Sequence, residues 1–176
     1  MMNLPEMHRD AKLSNIPDNC PHKKHIEAIA EDIRNFVYKG SNLLLWGDFG
    51  YGKSATSSIL LKAALSKGII GFWLSCDEYI GQLMKGGWWD DETSVEDKCK
   101  ETPLLVLDEM IIRENSKQKE AMLEMLIRFR LEKGRSTIIT TNHPMSWMKT
   151  NYQSLFSVFN GHYYVIQTRG HDFRTN

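Results

Sequence analysis

One run carries the clearest chemistry in this chain: Gly47-Asp48-Phe49-Gly50-Tyr51-Gly52-Lys53-Ser54. A Gly, four residues, and then Gly-Lys-Ser is the pattern of a loop that wraps a triphosphate. Its glycines let the backbone turn tightly and bring N–H groups against phosphate oxygens. A helix opening at Lys53 and continuing through Ala55 adds unpaired N–H donors and the positive end of a dipole. Lys53 would set an ammonium on the β- and γ-phosphates, and Ser54 would offer a hydroxyl to Mg²⁺. The expected ligands are ATP or ADP with Mg²⁺.

Two further polar points complete a hydrolytic site. Asp108 and Glu109 directly follow the apolar run Leu104-Leu105-Val106-Leu107. In ATP hydrolysis one carboxylate holds Mg²⁺, usually through water, and a second polarises the attacking water. Asp108 suits the first role and Glu109 the second. Thr140-Thr141-Asn142 closes another apolar run, and the Asn142 amide could hydrogen-bond the γ-phosphate or the attacking water. An Asn before His143-Pro144 is also a common loop starter. The catalytic candidates are therefore Lys53, Glu109 and Asn142.

These residues need elements to hold them. Pro5, Pro17 and Pro21 keep residues 1–21 irregular. Ile26, Ile29, Ile33, Phe36 and Val37 recur at helical spacing over Lys23 to Tyr38, and Gly40 ends that helix. Asn42 to Trp46 reads as a buried strand, Lys53 to Lys67 as a helix, and Ile69 to Leu74 as a second strand. A helix from Asp77 to Lys85 follows, then a loop at Gly86–Asp91. A short helix over Thr93 to Lys100 has Thr93 and Glu96 at capping-box spacing. Leu104–Leu107 is the third strand. An amphipathic helix runs from Ser116 to Glu132, with Met122, Leu123, Met125, Leu126, Phe129 and Leu131 on its apolar face. Thr137–Thr140 is the fourth strand. A helical region from Ser146 to Phe159 leads to a last strand, Tyr163–Ile166. Strands alternating with helices imply an α/β fold with a parallel sheet covered on both faces. Ligands then bind at the carboxyl ends of the strands.

Composition sets outer bounds. The chain has 176 residues, 41% hydrophobic and 25% charged, with a formal net charge of +0. That is ordinary for a globular domain and removes the basic footprint of a typical nucleic-acid binder. No apolar run reaches the ~20 residues that span a bilayer, and the first residues lack a signal-peptide core. Three cysteines without CxxC spacing fit a reducing cytoplasm, which is the expected location. Cys20, His22 and His25 are close in sequence but lack a fourth ligand, so a polar loop leading into a helix is expected there rather than a metal site.

The run from Asn42 to Ser54, the strand Leu104–Glu109 and Ser136-Thr137-Ile138-Ile139-Thr140-Thr141-Asn142 resemble the AAA+ ATPase domain of the DnaC/DnaI replicative helicase loaders. The IstB transposition helpers are similar. The lead-in His8-Arg9-Asp10-Ala11-Lys12-Leu13-Ser14-Asn15-Ile16-Pro17 also resembles that family's. The likeness covers roughly residues 8 to 174. It implies a P-loop AAA+ (ASCE) fold with a five-stranded parallel sheet between helices and little or no C-terminal lid. On this reading residues 1–21 are a lead-in and 22–176 the ATPase domain. Gly47–Ser54 becomes a Walker A motif, Asp108–Glu109 a Walker B, Asn142 a sensor-1 and Arg174 a sensor-2-like nucleotide contact. The implied partners are a replicative helicase or another DNA-processing protein, single-stranded DNA, and further copies of this chain on ATP binding.

Two departures qualify the resemblance. The family's arginine finger falls in a Ser-Arg-Leu-like segment, whereas this chain has Ser157-Val158-Phe159, with Val158 in the arginine's place. A finger is worth several orders of magnitude in rate, so turnover is expected to be weak unless Arg169, Arg174 or a partner supplies one. The loaders also carry an N-terminal helicase-gripping domain, and this sequence starts almost at the ATPase core. For single-stranded DNA the aromatic candidates are Trp73, Tyr79, Trp88 and Trp89, with Lys85 beside them. Arg113, Lys117 and Lys119 form a cationic group. Trp73 reads better as core, and Asp90, Asp91 and Glu92 beside the Trp88–Trp89 pair would repel phosphate.

Overall fold

The computed structural model describes residues 3–85, 94–110 and 117–170. Five parallel strands form one sheet: β1 (Asn42–Trp46), β2 (Gly71–Ser75), β3 (Leu104–Asp108), β4 (Ser136–Thr141) and β5 (Tyr163–Gln167), in the order β2-β3-β4-β1-β5. The three central strands read as near-continuous apolar runs because both of their faces are covered. Alternation then sorts them. Leu43 and Leu45 of β1, Leu104 and Val106 of β3 and Ile138 of β4 enter one core. Leu44, Leu105, Leu107 and Ile139 enter the other.

The first core is roofed by α1 (Lys23–Glu31), α2 (Ile33–Tyr38) and α3 (Lys53–Ser66), with Leu4, Ile16 and Cys20 of the lead-in. The second lies under α4 (Cys76–Lys85), α5 (Val95–Glu101), α6 (Lys117–Glu132), α7 (Met145–Asn151) and α8 (Gln153–His162). Each fully buried leucine contributes about 1.5–3 kcal/mol through transfer from water. The sheet is thereby held between helices, with the carboxyl ends of β1, β3 and β4 side by side. Among the described residues no helix is long and apolar enough to cross a membrane.

Several boundaries differ from expectation for local reasons. The helix over residues 23–38 breaks at Asp32, whose φ of −102° and ψ of 30° redirect the chain. α2 then restarts with the Phe36 N–H donating to Asp32 O at 3.0 Å, and the Asp32 carboxylate accepts from the Asn35 side-chain amide at 3.0 Å. β2 starts at Gly71, not Ile69: the Ile69 N–H closes the end of α3 on Ala64, and Ile70 is 65% exposed. The cap of α5 is Ser94, whose hydroxyl accepts from the Asp97 N–H at 3.0 Å. Thr93 lies outside the described residues, as do the loop at 86–91 and residue 116. The 146–159 region is two helices that meet at Tyr152.

On α6, Met125 is 72% exposed and does not join the apolar face. The buried stripe is Leu123, Leu126, Ile127 and Arg130, at i, i+3, i+4 and i+7. Arg130 is fully buried. Its guanidinium donates to the carbonyls of Cys99 (2.6 Å), Thr102 (2.9 Å) and Ser136 (2.5 Å), and to Thr137 Oγ1 (2.9 Å). Burial pulls its pKa down to about 10, so it stays charged at neutral pH. It staples α6 to the entrances of β3 and β4. Arg130→Ala leaves a void and stranded carbonyls, and is expected to remove about 3–5 kcal/mol of stability in urea denaturation. A loss under about 1 kcal/mol would show that the staple is dispensable.

Candidate nucleotide-binding site

The phosphate loop spans the end of β1 and the start of α3. Gly47 is required by a close approach: a Cβ there would lie 2.4 Å from the Thr168 carbonyl oxygen and 2.7 Å from its Oγ1. Thr168 is itself fixed by its N–H donating to Trp46 O at 2.8 Å. Gly52 stands at φ 73°, the left-handed region that L side chains avoid, and from there it caps α3. Lys53 folds back over the loop, donating to the carbonyls of Gly47 (2.8 Å) and Asp48 (2.7 Å). The Asp48 side chain is exposed, and Tyr51 is half-buried.

Across from the loop, Asp108 is buried at the end of β3. Its Oδ1 accepts from Ser54 Oγ at 2.8 Å and from Thr140 Oγ1 at 2.6 Å. Thr140 Oγ1 in turn accepts from the Glu109 N–H at 2.9 Å. Glu109 has φ 53°, the sole positive φ on a non-glycine among the described residues. That conformation costs about 1–2 kcal/mol. It is held by Thr140 on one side and, on the other, by buried Met110, whose N–H donates to Thr140 O at 2.8 Å and whose carbonyl accepts from Thr141 Oγ1 at 2.8 Å. The turn throws the Glu109 carboxylate out toward the cavity.

Phe49, Gly50, Gly52, Lys53, Ser54, Ala55, Asp108, Glu109 and Asn142 line one cavity of about 660 Å³. That volume is in the range of small-molecule sites. Asn142 reaches it because β4 lies between β1 and β3. A second groove, of about 620 Å³, runs between α1, α2 and β5 and contains none of these residues. The donor set suits Mg²⁺. That ion keeps several waters and takes few protein ligands; Asp108 and Ser54 would offer it one carboxylate and one hydroxyl, with phosphate oxygens for the rest. Among the described residues no group of three His, Cys, Asp or Glu could hold a metal by itself.

Other expectations are met differently. Trp73 and Tyr79 are each 2% exposed, so neither can stack a base; Trp73 packs in the core beneath His8, as its place in a strand leads one to expect. Val158 is 3% exposed inside the core of α8, a position suited to valine and closed to a reaching arginine. Arg169 is exposed and lines the second groove. Arg113, Arg174, Trp88 and Trp89 lie outside the described residues. Cys20 and His22 are buried, and burial, then the neighbouring His25, lowers the His22 pKa. Neither ring nitrogen of His22 has a hydrogen-bond partner among the described residues. Sequence reasoning overlooked Thr140 as the bridge between the acidic residues, Thr168 as the wall behind Gly47, and the lead-in residues Pro5, Met7 and His8, which also line the cavity.

The fold and this site define a P-loop protein of the AAA+ class. The family model described as "IstB-like ATP binding protein" matches residues 8–156, and the chain belongs to that family. A search of curated proteins returns no match. Among solved structures, a DnaC helicase loader aligns at TM-score 0.77 with 22% identity, over 94% of this chain and 100% of that one. DnaI aligns at TM-score 0.76 with 20% identity, over 98% and 95%. The replication initiator DnaA, bound to AMPPCP and single-stranded DNA, aligns at TM-score 0.75 with 15% identity, over 96% of this chain and 52% of that one. At these identities the likeness is one of fold.

Gly47→Ala drives a methyl into Thr168. It is expected to lose about 1–3 kcal/mol in urea denaturation and to weaken ATP binding about tenfold or more in calorimetry. Unchanged stability and affinity would mean that Thr168 does not constrain the loop.

Proposed function

We propose that this protein binds and hydrolyses ATP as a DNA-replication accessory factor, acting on a replicative helicase in the manner of a loader. The observation that carries the reading is the meeting of Lys53, Ser54, Asp108, Glu109 and Asn142 in one cavity. The ATPase unit is residues 22–176, with 1–21 a lead-in packed on it through Leu4, Ile16 and Cys20. It works in the cytoplasm.

In this reading the loop amides and Lys53 carry the β- and γ-phosphates, and Gly47–Ala55 is the nucleotide contact, joined by Arg174. Ser54 and Asp108 hold Mg²⁺, which neutralises charge on the phosphate oxygens. Glu109 orients the attacking water, and its strained backbone aims the carboxylate into the cavity. Asn142 hydrogen-bonds the γ-phosphate or that water. Attack breaks the bond between the γ-phosphorus and the bridging oxygen, leaving ADP and inorganic phosphate. ATP binding favours self-association, and hydrolysis releases the partner. Support for a replication role comes from the fold likeness to a protein described as a helicase loader and to an initiator described as bound to single-stranded DNA. The family name supports a transposition-helper reading on the same chemistry.

A second reading is an ATP-switched binding module with little turnover. The burial of Val158 favours it, because a finger must then come from Arg169, Arg174 or a partner. The deciding experiment is steady-state ATP turnover with and without single-stranded DNA. Lys53→Ala is expected to lose nucleotide binding. Glu109→Gln is expected to bind ATP while turning over about 100-fold or more slowly. Equal turnover in wild type and both variants would remove the hydrolytic reading. Tight binding by wild type with negligible turnover at high protein concentration would establish the switch instead.

A further inference from the structure

The cavity has a wall made by the lead-in. Pro5, Met7 and His8 line it alongside Lys53, Ser54 and Glu109. Residues 6–8 form a single turn of 3₁₀ helix, Glu6–His8. The His8 ring lies 5.8 Å from the Trp73 ring, tilted by 42°. Burial lowers the His8 pKa, while Asp108 and Glu109, which line the same cavity, pull it upward.

The wall is latched to the helix that forms the cradle. Ser58 Oγ donates to His8 O at 2.7 Å. Lys62 Nζ donates to Arg9 O at 2.8 Å and also to Ala11 O. Ser54, Ser58 and Lys62 are spaced four apart, so they form one polar stripe along α3. The first member meets Asp108, and the next two hold the lead-in. Every latch bond ends on a backbone carbonyl of residues 8–11. The lead-in is anchored in the core on either side of this stretch, at Leu4 and at Ile16 and Cys20, but no residue from 5 to 11 is fully buried and Met7 is 82% exposed. The family match begins at residue 8, and Pro5 and Met7 lie ahead of it. An element held by few hydrogen bonds with little apolar burial opens far more readily than the core does.

We propose that residues 5–11 are a strap that gates nucleotide exchange, latched closed on α3 by Ser58 and Lys62. The proposal rests on the nucleotide reading above. With the strap seated, one wall of the cavity is closed. Nucleotide enters and leaves when the latch releases.

The test is stopped-flow binding of the fluorescent nucleotide mant-ADP with Mg²⁺ to the full chain. The variants are Lys62→Met and Ser58→Ala, each of which removes a latch donor. Lys62→Met is at a half-buried surface position and serves if Ser58→Ala fails to fold. The gate predicts that association and dissociation rates both rise about five- to tenfold, the factor from losing about one net hydrogen bond. The ratio of the two rates should stay within about twofold of wild type. Amide exchange of residues 5–11 should quicken in the variants. Faster dissociation with unchanged association would make the strap a contact surface and overturn the gate. Unchanged rates in folded variants would overturn it as well. Absence of mant-ADP binding by wild type would remove the nucleotide reading itself, a result distinct from both.

Discussion

One carboxylate oxygen joins the three elements that make this site. Asp108 Oδ1 at the end of β3 accepts from Ser54 on α3 and from Thr140 on β4. Hydrogen bonds to a charged acceptor are short and about twice as strong as neutral ones. Here they fix the distance between the phosphate loop and the acidic strand end, which sheet pairing alone does not do, since β1 and β3 are not neighbours. β4 stands between them and supplies the bridge. A threonine at that position is therefore part of the site even where it touches no ligand.

The same hydroxyl controls the shape of the next residue. By accepting from the Glu109 N–H, Thr140 helps hold a backbone conformation that an L residue otherwise avoids. The energy for this comes from the surroundings: Met110 is buried and anchored twice to the β4 end. Strain of this kind persists only where packing over-determines it. Arg130 contributes at the opposite end of the same strands, tying α6 to the backbone before β3 and β4. Both strands are thus clamped at each end, which keeps Asp108, Thr140 and Asn142 in register.

Much of this was legible in the sequence, and the reasons are local. The phosphate loop is legible because its geometry depends on consecutive residues: Gly47 and Gly52 sit where a Cβ or a negative φ is not tolerated. The five strands are legible because apolar runs such as Leu43–Leu45 and Leu104–Leu107 have no other stable place than a sheet covered on both faces. Helix breaks are less so, since the turn at Asp32 interrupts an unbroken apolar pattern with no Pro or Gly to mark it. The Thr140 bridge was missed because it depends on pairing of β3 with β4, which are about thirty residues apart and set in register only by the folded sheet. Arg130 was missed because a charged residue in a polar-looking helix gives no sign of the carbonyls waiting for it. The seating of the lead-in against the cavity depends on Ser58 and Lys62, residues that read as an ordinary helix face.

The central claim is that the Thr140 hydroxyl, by holding Asp108 against Ser54, builds the metal side of the nucleotide site. Titration calorimetry of Thr140→Val against wild type, with ATP in the presence of Mg²⁺ and again in EDTA, tests it most directly. The account predicts that the variant binds Mg²⁺-ATP about tenfold more weakly, while its affinity for metal-free ATP matches wild type. Equal Mg²⁺-ATP affinity in a folded variant, or an equal loss with and without the metal, would contradict it.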